Sequence, residues 1–424
     1  MGRESVIAGA AIFALAFLGG GAFAANRFVI TNSGQIKPNG STAVAPTGST
    51  IAAENGEIAL AGGPALPPLP GGQLPVSRLE FVNPDGSGLR DVGPNRGVWG
   101  NGSFAWSRDG KQLAYLAGAS VTFGKFTLYL VGASGQHPRR LAACGDCEGV
   151  SWSPDGSQIA VGRYVAAELN VWVVNAKTGA MRRITDCQSK KLCGDALFVY
   201  AFQLQWSPNG QKIFFIRTRS DGGTSPLGTV RPDGSDLTEF RFPPGAHPGP
   251  AEWSPGGREL AVDSAIGVYV IDADGAVNEI TKLPDLWGSA WSPDGRELAI
   301  AAPRGIYTVD ADGKNLTHLA AGRGGSLFAP TWSPDGTELA YGGSLGPGTR
   351  EGIWTINADG SDRRLIYRTI PLVASLAIVP AWSPDGRQLA FSSNAGTYVV
   401  NADGRDVHRI ARGGWPALAW QPIP

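Results

Sequence analysis

A Trp-Ser-Pro-Asp-Gly turn followed by a short apolar run recurs along this chain and limits what it can fold into. It stands as FAWSRDGKQLAY (104–115), VSWSPDGSQIAV (150–161), LQWSPNGQKIFF (204–215), AEWSPGGRELAV (251–262), SAWSPDGRELAI (289–300), PTWSPDGTELAY (330–341) and PAWSPDGRQLAF (380–391). A shortened eighth copy, LAWQPIP, follows at 418–424. The tryptophans Trp106, Trp152, Trp206, Trp253, Trp291, Trp332, Trp382 and Trp420 are spaced about 45 residues apart, the period of a repeat whose units stack on one another.

Each period holds four short alternating segments. In the fifth unit they are SAWS (289–292), ELAIAA (297–302), GIYTVD (305–310) and NLTHLA (315–320), rich in β-branched and aromatic residues at strand length. Ser-Pro-Asp-Gly between the first two presets φ at Pro and accepts positive φ at Gly, which makes a tight hairpin. A second hairpin recurs as Asp310-Ala-Asp-Gly313, Asn357-Ala-Asp-Gly360 and Asn401-Ala-Asp-Gly404. Four strands per unit of this length describe one blade of a β-propeller.

The motif and its spacing resemble the TolB-like, WD-repeat-like propeller repeat family, over most of the chain. The resemblance implies a propeller and an envelope-associated interaction role. The separate N-terminal α/β domain of TolB has no counterpart here, so a place in the Tol system itself is not implied. A propeller hosts binders and enzymes alike, so function has to come from the site.

The blade count depends on the two ends. GEIALAGG (56–63) matches the second strand of a repeat, and RLEFVNPDGSGLRDV (78–92) matches a third strand, its hairpin and a fourth. This N-terminal set lacks a Trp-Ser-Pro strand, whereas ALAWQP (417–422) has that strand and nothing after it. Joined, they complete an all-β, eight-bladed ring and remove the exposed strand edges an open array would present; the alternative is seven blades with 56–92 docked as extra strands. The insert PALPPLPGGQLP (64–75) reads as a polyproline-like surface loop.

Residues 1–25 carry Arg3, an apolar stretch from Val6 to Phe23 and Ala22-Phe23-Ala24, the pattern of a secretory signal cleaved after Ala24. The same stretch is long enough to serve as an uncleaved membrane anchor. Either outcome puts the propeller (54–424) outside the cytoplasm, in the periplasm, at the cell surface or secreted, behind a flexible linker at 26–53. With 36 basic and 36 acidic residues and no basic stripe, nucleic acid is not an expected partner.

Several groups could carry chemistry. Cys144-Gly-Asp-Cys147 and the pair Cys187 and Cys193 follow the fourth strands of successive units. In an exported protein, two local disulfides are the first expectation, with cross-pairing, a four-Cys zinc site or a redox motif as alternatives. Asp272-Ala-Asp274 and Asp310-Ala-Asp312 have the look of calcium loops but lack the further ligands and closing Glu, so they read as turns. Gly342-Gly-Ser344-Leu-Gly346 matches a nucleophile elbow only in pattern, because it falls between strands. His137, His247, His318 and His408 are scattered over four units and form no triad.

The loops preceding the innermost strands vary and carry Trp99, Phe198, Tyr200, Trp287, Phe328 and Trp415, with His247, Glu148 and Asp285 as polar neighbours. Gathered at one mouth of the channel, these aromatics would make a recognition surface for a protein, peptide or cell-envelope ligand, without a cofactor or metal; otherwise each covers the end of its own blade. The repeat tryptophans read as inter-blade filling instead. The competing reading is a lyase- or lactonase-type enzyme using His247, Glu148 and Asp285.

Overall fold

The computed structural model describes residues 55–62, 78–92, 104–118, 126–165, 168–186, 199–219, 227–322, 327–343, 352–368, 379–393, 395–412 and 417–423. Among them are 32 strands and no helix, arranged as eight four-stranded antiparallel sheets. Blade one comprises β4 (Phe104–Trp106), β5 (Gln112–Gly118), β6 (Phe126–Gly132) and β7 (Arg139–Gly145). Blade two comprises β8 (Cys147–Trp152), β9 (Gln158–Val165), β10 (Glu168–Asn175) and β11 (Met181–Arg183). Blades three to seven repeat this order, their innermost strands being β12 (Val199–Trp206), β16 (Ala251–Trp253), β20 (Gly288–Trp291), β24 (Leu327–Trp332) and β28 (Ala381–Trp382).

The eighth blade is the composite one. Its strands are ordered β3 (Arg90–Asp91), β2 (Arg78–Val82), β1 (Ile58–Gly62) and β32 (Ala417–Trp420), so the late strand is innermost. The register pairs Ile58 with Trp420 and Leu60 with Leu418. The seven-bladed alternative is thereby set aside. Polar contacts fasten the same junction: the Gln421 N–H donates to Glu57 O (2.8 Å), and the Gln421 side chain accepts from Glu57 N (3.0 Å) and donates to Gly110 O (2.8 Å). Arg90 forks onto both oxygens of Glu57 at 2.7 Å and reaches Ser134 O of blade one.

The core is distributed around the ring. Eight apolar clusters occupy the eight interfaces between neighbouring blades. Each repeat tryptophan enters one of them, and none is more than 9% exposed. Six indole N–H groups donate to the preceding blade, to the carbonyl just before that blade's own tryptophan: Trp152 to Ala105 O (2.9 Å), Trp253 to Gln205 O, Trp291 to Glu252 O, Trp332 to Ala290 O, Trp382 to Thr331 O and Trp420 to Ala381 O. Those carbonyls lie on the free inner edge of a sheet, where no strand pairs them, so the tryptophan both fills the interface and satisfies a backbone acceptor. Trp206 departs from this and donates to Gly210 O of its own turn.

Inner-edge N–H groups are satisfied by side chains of the preceding blade. Trp206 N donates to Ser151 Oγ (2.8 Å), Ala251 N to Gln203 Oε1 (3.0 Å) and Ser289 N to Asp263 Oδ2 (3.1 Å). Replacing Trp332 with Phe should therefore cost more than its small loss of area. The ring still fills the interface, but Ala290 O loses its donor, and a drop of about 1 kcal/mol in urea-melt stability is expected. An unaltered midpoint would mean that water takes over the carbonyl.

Two local expectations are corrected. The fourth strand of blade five is Thr317–Ala321, two residues later than the sequence pattern suggested, because Asn315 turns into the left-handed region (φ 54°) and donates its amide to Asp310 Oδ2 (2.8 Å). Cys144 and Cys147 do not sit in a loop. Cys144 belongs to β7 and Cys147 opens β8, so their disulfide ties the outermost strand of blade one to the innermost strand of blade two. Cys187 and Cys193, the 64–75 insert and residues 1–54 lie outside the described residues.

Candidate functional site

Up-and-down blades give the ring two unlike faces. First-to-second and third-to-fourth hairpins emerge on one, the turn face. Second-to-third connections and the crossings to the next blade emerge on the other, the rim face. On the turn face each Ser-Pro-Asp-Gly loop is closed internally: Ser153 Oγ donates to Asp155 Oδ1 (2.6 Å), which also accepts from Ser157 N (3.0 Å). These hydrogen bonds, the Ser153 one foremost, hold the Asp155 carboxyl below its ordinary range. The same Ser-to-Asp bond recurs in blades one, five, six and seven.

The outer hairpins also consume their carboxylates. Asp272 Oδ1 accepts from Asp274 N and Ala276 N, both at 3.0 Å, and Asp312 engages Lys314. Among the described residues, no three His, Cys, Asp or Glu side chains converge as metal ligands.

The rim face is less uniform. Trp99, Phe198 and Trp415 lie outside the described residues, and for Tyr200 and Phe328 only the backbone is described, in β12 and β24. Trp287 immediately precedes β20 and is half-buried. Its N–H donates to Ala301 O (2.8 Å), its carbonyl accepts from Ala329 N (3.3 Å), and its ring packs on the cluster between blades five and six. It thus covers a blade end while keeping part of its surface at the rim.

His247 and Asp285 are exposed, both with positive φ (43° and 54°), and one turn links their segments. Ala265 N donates to Ala246 O (2.8 Å), and Asp285 N donates to Ala265 O (3.2 Å). Beneath that turn, buried Asp263 accepts from the Ser289 hydroxyl and N–H, joining blade four to blade five. Backbone fixed in this way positions both residues, and neither side chain has a hydrogen bond or ion pair among the described residues.

Glu148 stands elsewhere, on the innermost strand of blade two. It faces Gly162 in the register, and a bulge follows before Ser151 pairs with Ala160. Burial pushes its carboxyl up to about 7, against a hydrogen bond with Tyr164 that lowers it, and the nearby charge of Asp146 raises it further. Tyr164 N donates to Asp146 O (2.8 Å), so the disulfide loop and β9 hold this corner together. On the opposite face of the same sheet, Arg163 lies over the Trp172 ring, 4.8 Å from its centroid. The segments of His247 and Asp285 are therefore joined through one turn, at the crossings into blades four and five, while Glu148 stands on blade two. The sequence did not point to Tyr164, Asp146 or the bridging Asp263; the only available signal was a polar residue at an otherwise apolar strand position.

No family model and no curated protein sequence matches the chain. Among solved structures it is similar to the dihydro-heme d1 dehydrogenase NirN in complex with DHE, at 18% identity over 87% of this chain and 75% of that one, with a TM-score of 0.59. It is also similar to dipeptidyl peptidase 4 of Porphyromonas gingivalis, at 13% identity over 78% and 56% of the two chains, TM-score 0.55. TolB from Acinetobacter baumannii aligns at 15% identity over 81% and 79%, TM-score 0.43. At these identities the likeness is one of fold, and the chain is an eight-bladed β-propeller whose structural neighbours include TolB and enzymes.

Proposed function

We propose that this protein is an exported, non-enzymatic TolB-like binding module that takes a protein, peptide or cell-envelope component on its rim face around the channel mouth. The observation that carries the reading is the inequality of the two faces. Most turn-face loops repeat one another and spend their carboxylates internally, whereas on the rim Trp287, His247 and Asp285 belong to segments of differing sequence whose backbone is hydrogen-bonded in place. A rigid scaffold presenting variable loops is the usual way a propeller acquires specificity. The Cys144–Cys147 disulfide supports an oxidising compartment, in keeping with a leader at residues 1–25.

The test is capture from envelope extracts by wild type and by a Trp99→Ala, Trp287→Ala, Trp415→Ala variant with an unchanged melting profile. Wild type should retain a partner that the variant loses by about tenfold or more, the effect of removing aromatic anchors from an interface. Equal capture by both would exclude this face. A second reading, a channel enzyme of lyase or lactonase type, is favoured only by the raised carboxyl of Glu148.

A further inference from the structure

One turn in the ring breaks the pattern. At the residue after the motif Ser (Gln421 in the eighth), seven blades have proline, Pro154, Pro208, Pro255, Pro293, Pro334, Pro384 and Pro422, and blade one has Arg108. The prolines seal neighbouring turns together. A Cβ placed on Gly210, Gly257, Gly295, Gly336 or Gly386 would lie 3.1 to 3.7 Å from the Cδ of the preceding blade's proline. At Gly156, which follows Arg108 in the ring, there is nothing within 4 Å. The arginine has left its neighbour unsealed and gone elsewhere.

It reaches Pro208 O of blade three, at 3.5 Å from Nη1. Sheets pack face to face about 10 Å apart, so blades one and three are roughly 20 Å apart through their middles. An extended arginine side chain spans only about 7 Å. The two blades come within its reach only where the ring converges on its axis, so the guanidinium overhangs the turn-face mouth of the channel. That one long bond is its sole hydrogen bond or ion pair among the described residues, which leaves most of its five donors uncommitted.

The turns it points toward also lack the motif carboxylate. Five turns keep the motif aspartate, but blade three has Asn209, blade four has Gly256 and the eighth blade has Ile423. Asn209 donates its amide to Gly257 O (2.6 Å), a bond no carboxylate could make. Arg258 follows on blade four and is exposed. The motif carboxylates of blades one and two, Asp109 and Asp155, are turned into their own loops, the first bonded to Ser107 and Lys111, the second to Ser153 and Ser157. A planar, largely uncommitted guanidinium in a sector whose carboxylates are held in their own loops suits an oxyanion.

We propose that Arg108 forms an oxyanion-binding point at the turn-face mouth of the channel, taking a carboxylate or phosphate group against the turns of blades three and four. It is separate from the rim face. The break in the repeat is where a functional departure from local consistency is expected.

The test compares wild type with Arg108→Pro, which restores the repeat's own residue, and with Arg108→Gln, which keeps length and polarity without charge. Citrate and inorganic phosphate are titrated separately at constant ionic strength, with chloride as the control, and followed by melting temperature and calorimetry. Wild type should show saturable stabilisation by citrate, by phosphate or by both, which identifies the preferred group. Both variants should bind about tenfold more weakly or not at all, as loss of a charge-assisted bidentate contact implies. In chloride, R108P should melt no lower than wild type, because its proline can close against Gly156. Equal responses in all three proteins, or a chloride response matching the others, would overturn the proposal, as would no oxyanion response in wild type.

Discussion

Deletion of residues 415–424 is expected to cost this ring more than the loss of any single interface tryptophan. The deleted segment includes β32, which pairs with β1 over four residues, and Leu418, Ala419 and Trp420, all at most 7% exposed. It also removes the indole bond to Ala381 O and the Gln421 contacts to Glu57 and Gly110. What remains is a bare inner edge of β1, whose Ile58, Ala59, Leu60 and Ala61 are fully buried in the intact ring. Truncating a core tryptophan costs about 3–5 kcal/mol through lost burial and a cavity.

Trp332→Ala supplies that local cost at an interface away from the junction, so it serves as the reference. The deletion should exceed it clearly and broaden the thermal transition, because an opened ring becomes a linear array whose end blades lose a neighbour. Trp420→Ala should fall between the two. Loss of strand signal need not be complete for the result to count; the comparison of melting temperatures decides it. A deletion variant that melts with wild type would mean that the composite blade does not hold the ring closed.

The ring was legible in the sequence because its information is periodic. Trp-Ser-Pro-Asp-Gly marks the first hairpin of each blade, and for unit five two of four strands, Glu297–Ala302 and Gly305–Asp310, fall where alternation put them. The composite blade was legible from complementary deficits, a blade without its first strand at one end and a first strand without its blade at the other. Asn315 hid the start of its strand because left-handed backbone is a local choice that alternation does not register.

The chemistry was far less legible, for a physical reason. The environment of Glu148 is made by Tyr164, on another strand, and by a bulge that re-aims the chain, neither of which leaves a mark near position 148. Asp263 looks like an ordinary strand-end aspartate until Ser289 of the next blade is brought beneath it. Inter-blade polar bonds of this kind occupy positions that differ from repeat to repeat, so they read as noise in a pattern built on what repeats share. Trp287 was recognisable as a large residue before an inner strand, but its division between rim and blade cover depends on Ala301 and Ala329.

Glu148→Gln should change how stability depends on pH. With the carboxyl at about 7 in the folded protein and about 4.5 when unfolded, the folded state keeps a proton across that window that the unfolded state has released. The proton favours folding fully below about pH 4.5, and its contribution is lost as pH rises through about 7. About 2.5 pH units at about 1.4 kcal/mol each set an upper limit near 3.5 kcal/mol, which water at this partly buried site reduces to an expected 1–3 kcal/mol. Glutamine keeps the shape and a hydrogen-bonding partner for Tyr164 but never ionises. The variant should therefore match wild type near pH 4 and be the more stable protein at pH 8. Taking the difference between the two proteins at each pH cancels the other titrating carboxylates, including Glu80, Glu259 and Glu297, which are also raised by burial. Urea melts at half-unit intervals from pH 4 to 8 would measure it. A difference that stays flat across that range would show that Glu148 ionises like a solvent-exposed carboxylate and would remove the one group favouring acid–base chemistry in the channel.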